Sequence, residues 1–156
     1  MQNEHQYNLK VKWTGNLGVG TKDYTAYSRN YIISSKNKVD IQASSDTIFR
    51  GDFERYNPEE LFLASISSCH MLWYLHLCAD AGIIVTDYID DPTGILSLQT
   101  NNGCFTAVTL NPLVTILDIC DEELAISLHN EANKKCFIAN SCNFAIHHSP
   151  KIISKT

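Results

Sequence analysis

The stretch Asn57-Pro58-Glu59-Glu60-Leu61-Phe62-Leu63-Ala64-Ser65-Ile66-Ser67-Ser68-Cys69-His70-Met71-Leu72-Trp73, continued to Ala81-Gly82, decides the fold. It opens as a helix should. Asn57 can cap, Pro58 suits the first helical position, and Glu60 stands three residues after the cap. Glu59 and Glu60 both favour the positive end of the helix dipole. Gly82 is a C-terminal stop, so the helix is expected to run to about Ala81. Its apolar residues fall on nearly every face, the pattern of a helix enclosed on all sides. A chain of 156 residues struggles to surround such a helix alone, which points to a subunit interface. The nearly uncharged run Leu61–Ala79 would also suit a membrane span. Ser65, Ser67, Ser68, Cys69, His70 and His76 inside it favour a buried core helix instead.

Working outward, Tyr7–Trp13 alternates apolar and polar residues with period two, as a half-buried strand does. Gly15, Gly18 and Gly20 mark a turn. The runs Arg29–Ser34 and Val39–Ala43 flank Lys36-Asn37-Lys38 as a hairpin, and Ser44–Tyr56 reads as a polar loop. Beyond the helix, Ile83–Ile89, Gly94–Leu98, Cys104–Leu110 and Leu113–Leu117 read as strands, with Asn101-Asn102-Gly103 turning one hairpin. A second helix starts at Asp121, carries Leu124, Ala125, Leu128 and Ala132 on one stripe, and ends near Lys134-Lys135. A short third helix around Cys136–Ser141, a last strand Asn143–His147 and a fraying tail Lys151–Thr156 complete the chain. The order is that of an α+β protein in a single domain, residues 1–156.

Hydrophobic residues make up 44% and charged residues 19%, an ordinary globular balance. The net charge of −5, with no clustered Lys and Arg, argues against a nucleic-acid partner. Residues 1–6 lack the basic and apolar regions of a secretory signal. The expected setting is therefore the cytoplasm, with the chain neither exported nor in the membrane. There the six cysteines, Cys69, Cys78, Cys104, Cys120, Cys136 and Cys142, would be free thiols.

Most buried cysteines are small hydrophobes, and three of these, Cys78, Cys104 and Cys120, have only that reading. Cys69 shares a helix face with Phe62, Ser65, Ile66, Leu72, Trp73 and His76, a mainly apolar wall that could take an alkyl-bearing substrate or simply be core. Cys136 follows Lys134-Lys135 at a helix junction, where cations lower a thiol pKa. Cys142 faces another way. His70 is either a local base or a polar residue about 100° round the helix from Cys69. His70, His76, His147 and His148 could join the cysteines as ligands, but no C-x-x-C, H-x-x-x-H or H-E-x-x-H spacing occurs, so no metal site is expected. Nucleotide-binding and serine-hydrolase motifs are absent as well.

Asn57–Cys69 closely resembles the central helix of OsmC/Ohr proteins, where N-P-E-E/Q-L precedes small residues and a reactive cysteine. Ala132-Asn133-Lys134-Lys135-Cys136-Phe137-Ile138-Ala139-Asn140-Ser141 is similar to their second cysteine segment. The resemblance implies an OsmC-like fold, with antiparallel sheets around a long central helix in an intertwined homodimer. It implies a peroxidase of organic hydroperoxides in which Cys69 becomes a sulfenic acid and Cys136 resolves it as a disulfide. No bound cofactor is implied; an external dithiol, typically a lipoyl group on a reductant protein, would restore the thiols. Glu59 matches the family's active-site glutamate. Ten residues at ~1.5 Å place it about 15 Å from Cys69 along one straight helix, so a shared site needs Glu59 from a second subunit. Phe62, Ile66, Leu72 and Trp73 would line the substrate pocket.

The chain departs from the family pattern in the loop after the first strand. Residues 15–21 carry no arginine to pair with the glutamate, leaving Arg50 or Arg55 as substitutes. Phe137 also stands where proline is common. The missing arginine keeps open a non-catalytic reading, in which the same scaffold binds a lipid-like molecule or senses redox state. A zinc site built from Cys69 and His70 is a further alternative.

Overall fold

A computed structural model describes residues 4–99, 103–117 and 122–154. The chain gathers into two compact units, Met1–Leu61 and Phe62–Thr156. The cause lies in strand pairing, since the first three strands pair with one another alone.

In the first unit, β1 (Lys10–Trp13), β2 (Tyr31–Ser34) and β3 (Ile41–Ala43) form an antiparallel sheet in that order, with Val11 opposite Ile33 and Tyr31 opposite Ala43. The strands are shorter than the apolar runs that announced them. The β2–β3 hairpin turns where expected, with Asn37 at φ 62°. The loop that follows is more ordered than its polarity suggested. It holds a 3-10 turn, Thr47–Phe49, whose cap Asp46 accepts the Ile48 N–H at 2.8 Å.

The long helix α1 spans Pro58–Ala81. Its capping box is reciprocal: the Glu60 N–H donates to Asn57 Oδ1 at 2.8 Å, and the Asn57 N–H donates to Glu60 Oε2 at 2.9 Å. Two otherwise orphaned donors are thereby satisfied. Gly82 follows at φ 78°, the left-handed conformation that ends a helix cheaply only at glycine. By length and composition α1 could cross a membrane. Four buried residues at four-residue spacing, Ile66, His70, Tyr74 and Cys78, instead make one stripe facing the strands and the second helix.

The second unit continues with β4 (Val85–Asp90), β5 (Thr93–Ser97), β6 (Cys104–Leu110) and β7 (Pro112–Ile116), then α2 (Glu122–Lys135), β8 (Ile146–His148) and β9 (Lys151–Ser154). Two sheets result, β4-β7-β9 and β5-β6-β8. Pairings β4–β7 and β5–β6 are antiparallel, whereas β6–β8 and β7–β9 are parallel, so the sheets are mixed. Lys151–Ser154 does not fray. It lies in register on β7, with Leu113 opposite Lys151, and Ile152 enters the core. An open strand edge supplies the backbone partners that a terminus usually lacks. The expected Asn101-Asn102 turn and the Asp121 helix start lie outside the described residues.

The core forms two clusters. One joins Tyr74, Cys78, Ile83, Val114, Ile116, Ala125, Ala132 and Ile152; the other joins Ile66, Val108 and Leu110, flanked by Phe62, Leu63, Phe105 and Phe144. The expected enclosure of α1 on every face is not met within one chain. Outside the buried stripe its apolar side chains stay open or half-open, Leu72 at 63% exposure.

Candidate active site

Cys69 sits near the middle of α1, half-buried, at the wall of a pocket of about 370 Å³. Ser65, Ser68, Leu72 and Trp73 line it from α1, and Phe137 and Ile138 close it from beyond α2. Trp73 and Phe137 meet edge to face with ring centres 5.7 Å apart, a stable aromatic geometry. Leu72, Trp73 and His76 continue into an adjoining hollow of about 280 Å³.

The second thiol arrives through local structure. α2 ends at Lys135, and the chain turns so that Cys136 points inward, fully buried, with the Ala139 N–H donating to its Sγ at 3.3 Å. Its neighbour there is the Cys69 thiol, near enough to act on it by hydrogen bonding and by charge. The fold thus brings together the two cysteines that the sequence singled out.

Cys136 was expected to be acidified by the lysines before it. The reverse holds: burial first, then Cys69, push its thiol up to about 11, against the opposing backbone N–H groups of Ala139 and Ile138. Both lysines are engaged elsewhere. Lys134 Nζ binds Glu131 Oε1 at 2.7 Å, and Lys135 Nζ stands 5.5 Å from the centre of the Trp73 ring.

The remaining predicted residues divide. Leu72 and Trp73 line the pocket as expected. Ile66 is fully buried in the second core cluster and cannot touch a ligand; Phe62 packs there against Phe105, ring centres 5.0 Å apart. Both had been placed on Cys69's face by helical spacing, which does not tell pocket wall from core. Glu59 is half-buried in the first turn of α1 and, after burial, is the second cause raising the Tyr31 hydroxyl pKa. Arg55 Nε pairs with Asp52 at 3.2 Å, and Arg50 is exposed in a left-handed conformation at φ 67°. Cys142 packs in the second cluster, its thiol donating to the Ile138 carbonyl at 3.3 Å. Cys120 lies outside the described residues.

Sequence reasoning passed over two features. Arg29 is clamped between the faces of Tyr24 and Tyr27, 4.1 and 4.2 Å from the ring centres, and donates to both their carbonyls. His129 of α2 meets His70 of α1, Nδ1 to Nε2 at 3.0 Å, with both rings buried. His70 therefore faces a histidine partner, and among the described residues no three His, Cys, Asp or Glu side chains are arranged to hold a metal ion. The four-residue stripe 66-70-74-78 signalled that His70 is internal, but nothing local named its partner.

Fold and site define a class: an α+β protein with paired thiols, one at an apolar pocket and one buried behind it. The family model described as OsmC-like protein matches residues 51–151, and the chain belongs to that family. An OsmC-like protein of unknown function from Vibrio cholerae O1 biovar eltor is 26% identical, covering 95% of this chain and all of its own, with a TM-score of 0.86. An organic hydroperoxide resistance protein from Elizabethkingia anophelis shares the fold at 19% identity, with 97% of this chain and 99% of that one covered and a TM-score of 0.65. The organic hydroperoxide resistance protein OsmC from Legionella pneumophila does so at 17%, with coverage of 96% and 98% and a TM-score of 0.64. No curated protein matches the chain.

Proposed function

We propose that this protein is a thiol-dependent peroxidase of organic hydroperoxides that cycles through a Cys69–Cys136 disulfide. The observation that carries this reading is the buried Cys136 thiol set against Cys69 at the wall of an apolar pocket. A hydroperoxide's alkyl group would lie on Leu72, Trp73 and Phe137, with its oxygens at Cys69. The Cys69 thiolate attacks one oxygen, the O–O bond breaks, and the other oxygen leaves as an alcohol after taking a proton. Cys69 is then a sulfenic acid. Cys136, giving up its proton, attacks that sulfur; the S–S bond forms and the hydroxyl leaves as water. An external dithiol reduces the disulfide and is itself oxidised to one.

The reading includes a homodimer in the cytoplasm. It is supported by apolar surface left open in one chain, on α1 at Leu72, on β1 at Val11 and beside the first sheet at Leu9 and Val39. In that dimer Glu59 of a second copy would approach Cys69, with Arg55 or Arg50 as its cation. The test is steady-state consumption of cumene hydroperoxide with a dihydrolipoyl reductant against a thioredoxin reductant. Turnover that Cys69→Ser abolishes is expected; unchanged free thiols after peroxide would end the proposal.

A second reading is favoured by the raised Cys136 thiol, which at neutral pH is a poor nucleophile. The pocket would then hold a lipid-like molecule without turnover, or report redox state slowly. Saturable binding of a fatty acid by a chain that keeps its thiols under peroxide would select it.

A further inference from the structure

The His70–His129 contact lies outside the thiol site yet connects its two halves. On α1, Cys69 and His70 are adjacent and point about 100° apart. Cys69 opens to the pocket, while His70 joins Ile66, Tyr74 and Cys78 on the buried stripe. On α2 the buried residues are Ala125, His129 and Ala132, and the same spacing of four and three leads on to buried Cys136. His129 and Cys136 therefore share one side, about 10 Å apart along the helix.

Beside them α2 presents Ala125 and Ala132, small side chains whose packing is non-directional, and the His129 ring lies stacked on Tyr74 of α1 with centres 3.8 Å apart. Such contacts hold α2 near α1 and leave slack in its rotation and its position along the axis. The hydrogen bond between His70 Nε2 and His129 Nδ1 does set both, because a bond of 3.0 Å tolerates little angular error. Beyond α2 the position is passed on stiffly. The Cys136 N–H bonds to the Asn133 carbonyl at 3.3 Å, the Asn140 N–H to the Cys136 carbonyl at 3.0 Å, and Asn140 Nδ2 to the Lys134 carbonyl at 3.0 Å. Disulfide formation needs such control, since the two Cα atoms must stand about 4.4–6.8 Å apart with the right torsion.

We infer that His70 and His129 are positioning residues, whose buried hydrogen bond ties α2 to α1 and sets Cys136 within bonding reach of Cys69. The inference rests on the disulfide of the proposed cycle. It also explains why two imidazoles stay buried with an atom each, His70 Nδ1 and His129 Nε2, that lacks a partner among the described residues. A pair kept only for packing would be replaced at lower cost by apolar side chains. The other titratable groups around the pair are Tyr74 and Cys78 of α1, Tyr88 of β4, on which Asp90 acts, and His148 of β8 with His147 beside it.

The experiment measures the Cys69–Cys136 equilibrium of the full chain in glutathione redox buffers, by mass spectrometry of alkylated thiols. His129→Leu removes the tie, and the disulfide equilibrium constant is expected to fall about tenfold, a rise of about 30 mV in reduction potential. His129→Asn puts an amide atom where Nδ1 was and is expected to restore most of the loss; Val114→Ala lowers stability in the same core cluster and is expected to leave the potential unchanged. If His129→Leu does not fold, His129→Gln, whose amide lies one bond too far, takes its place. Equal potentials in the wild type and the untied variant overturn the inference, as does a shift of equal size in Val114→Ala. A wild type that forms the disulfide with diamide but consumes no peroxide refutes the peroxidase alone and leaves the tie standing. A wild type that forms no disulfide at all ends both.

Discussion

Acidification should unfold this protein through its two central histidines. Burial first, and His148 second, lower His70 from 6.5 to about 4; burial first, then His70 and His148, lower His129 to about 3. Both rings are therefore neutral at pH 7, whereas in the unfolded chain they take up protons near pH 6.5. The folded state thus binds fewer protons across that window. Its stability is fully present above pH 6.5, falls as the pH drops, and levels off only below about 3. Across that window the unfolded chain carries a proton on each ring and the folded pair carries none until about pH 4, so both displacements count: the His70 shift alone is worth about 3 kcal/mol and the His129 shift adds a like amount. A domain is stable by roughly 5–15 kcal/mol, so this is a large fraction. Urea unfolding between pH 7.5 and 4.5 measures it, with a His70→Gln/His129→Asn variant, which cannot titrate there, as the control. The wild type should lose about 5 kcal/mol more than the control across that range. Parallel curves would refute the reasoning and imply that the rings are hydrated or already charged.

Three further outcomes are expected. Cys136→Ser should allow one peroxide turnover and then over-oxidation of Cys69, seen as added sulfinic oxygens in an intact-mass spectrum; its absence counts against the resolving role. Alkylation of Cys136 by iodoacetamide should rise about tenfold per pH unit from 7 towards 10, because its thiol is pushed up to about 11. Replacing Cys69 by Ser removes one of the raising causes and should move that profile to lower pH, while burial keeps it above that of a free thiol. Gly82→Ala should cost about 1 kcal/mol in denaturant unfolding, since the φ of 78° is strained for alanine although the space around it is open.

The parts read correctly from the sequence are those whose causes lie within a few residues. The first turn of α1 is set by Asn57, Pro58 and Glu60, its end by Gly82, and the β2–β3 turn by Asn37, so each was visible locally. Strand cores were found, and Cys104–Leu110 to the residue, but other ends moved by up to three residues, because an end depends on where the partner strand stops. Lys151–Ser154 shows the same cause at full strength. Nothing in Lys-Ile-Ile-Ser says that β7 has a free edge to receive it in parallel. Ile66 and Trp73 both lie on the Cys69 face of α1, yet one is sealed in the core and the other faces the pocket.

What the linear chain determined by itself is an α+β protein with a long capped helix carrying Cys69 and a second cysteine segment at Cys136, because caps, periodicity and short motifs are near-neighbour physics. What only the tertiary structure decided is the environment of those sulfurs. Cys136 turned out buried and raised rather than acidified, and His70 found His129 across the seam between two helices. Burial and long-range pairing are properties of the packed interior, and electrostatics follows burial. No inspection of Lys134-Lys135-Cys136 could show that both cations would turn away from the thiol.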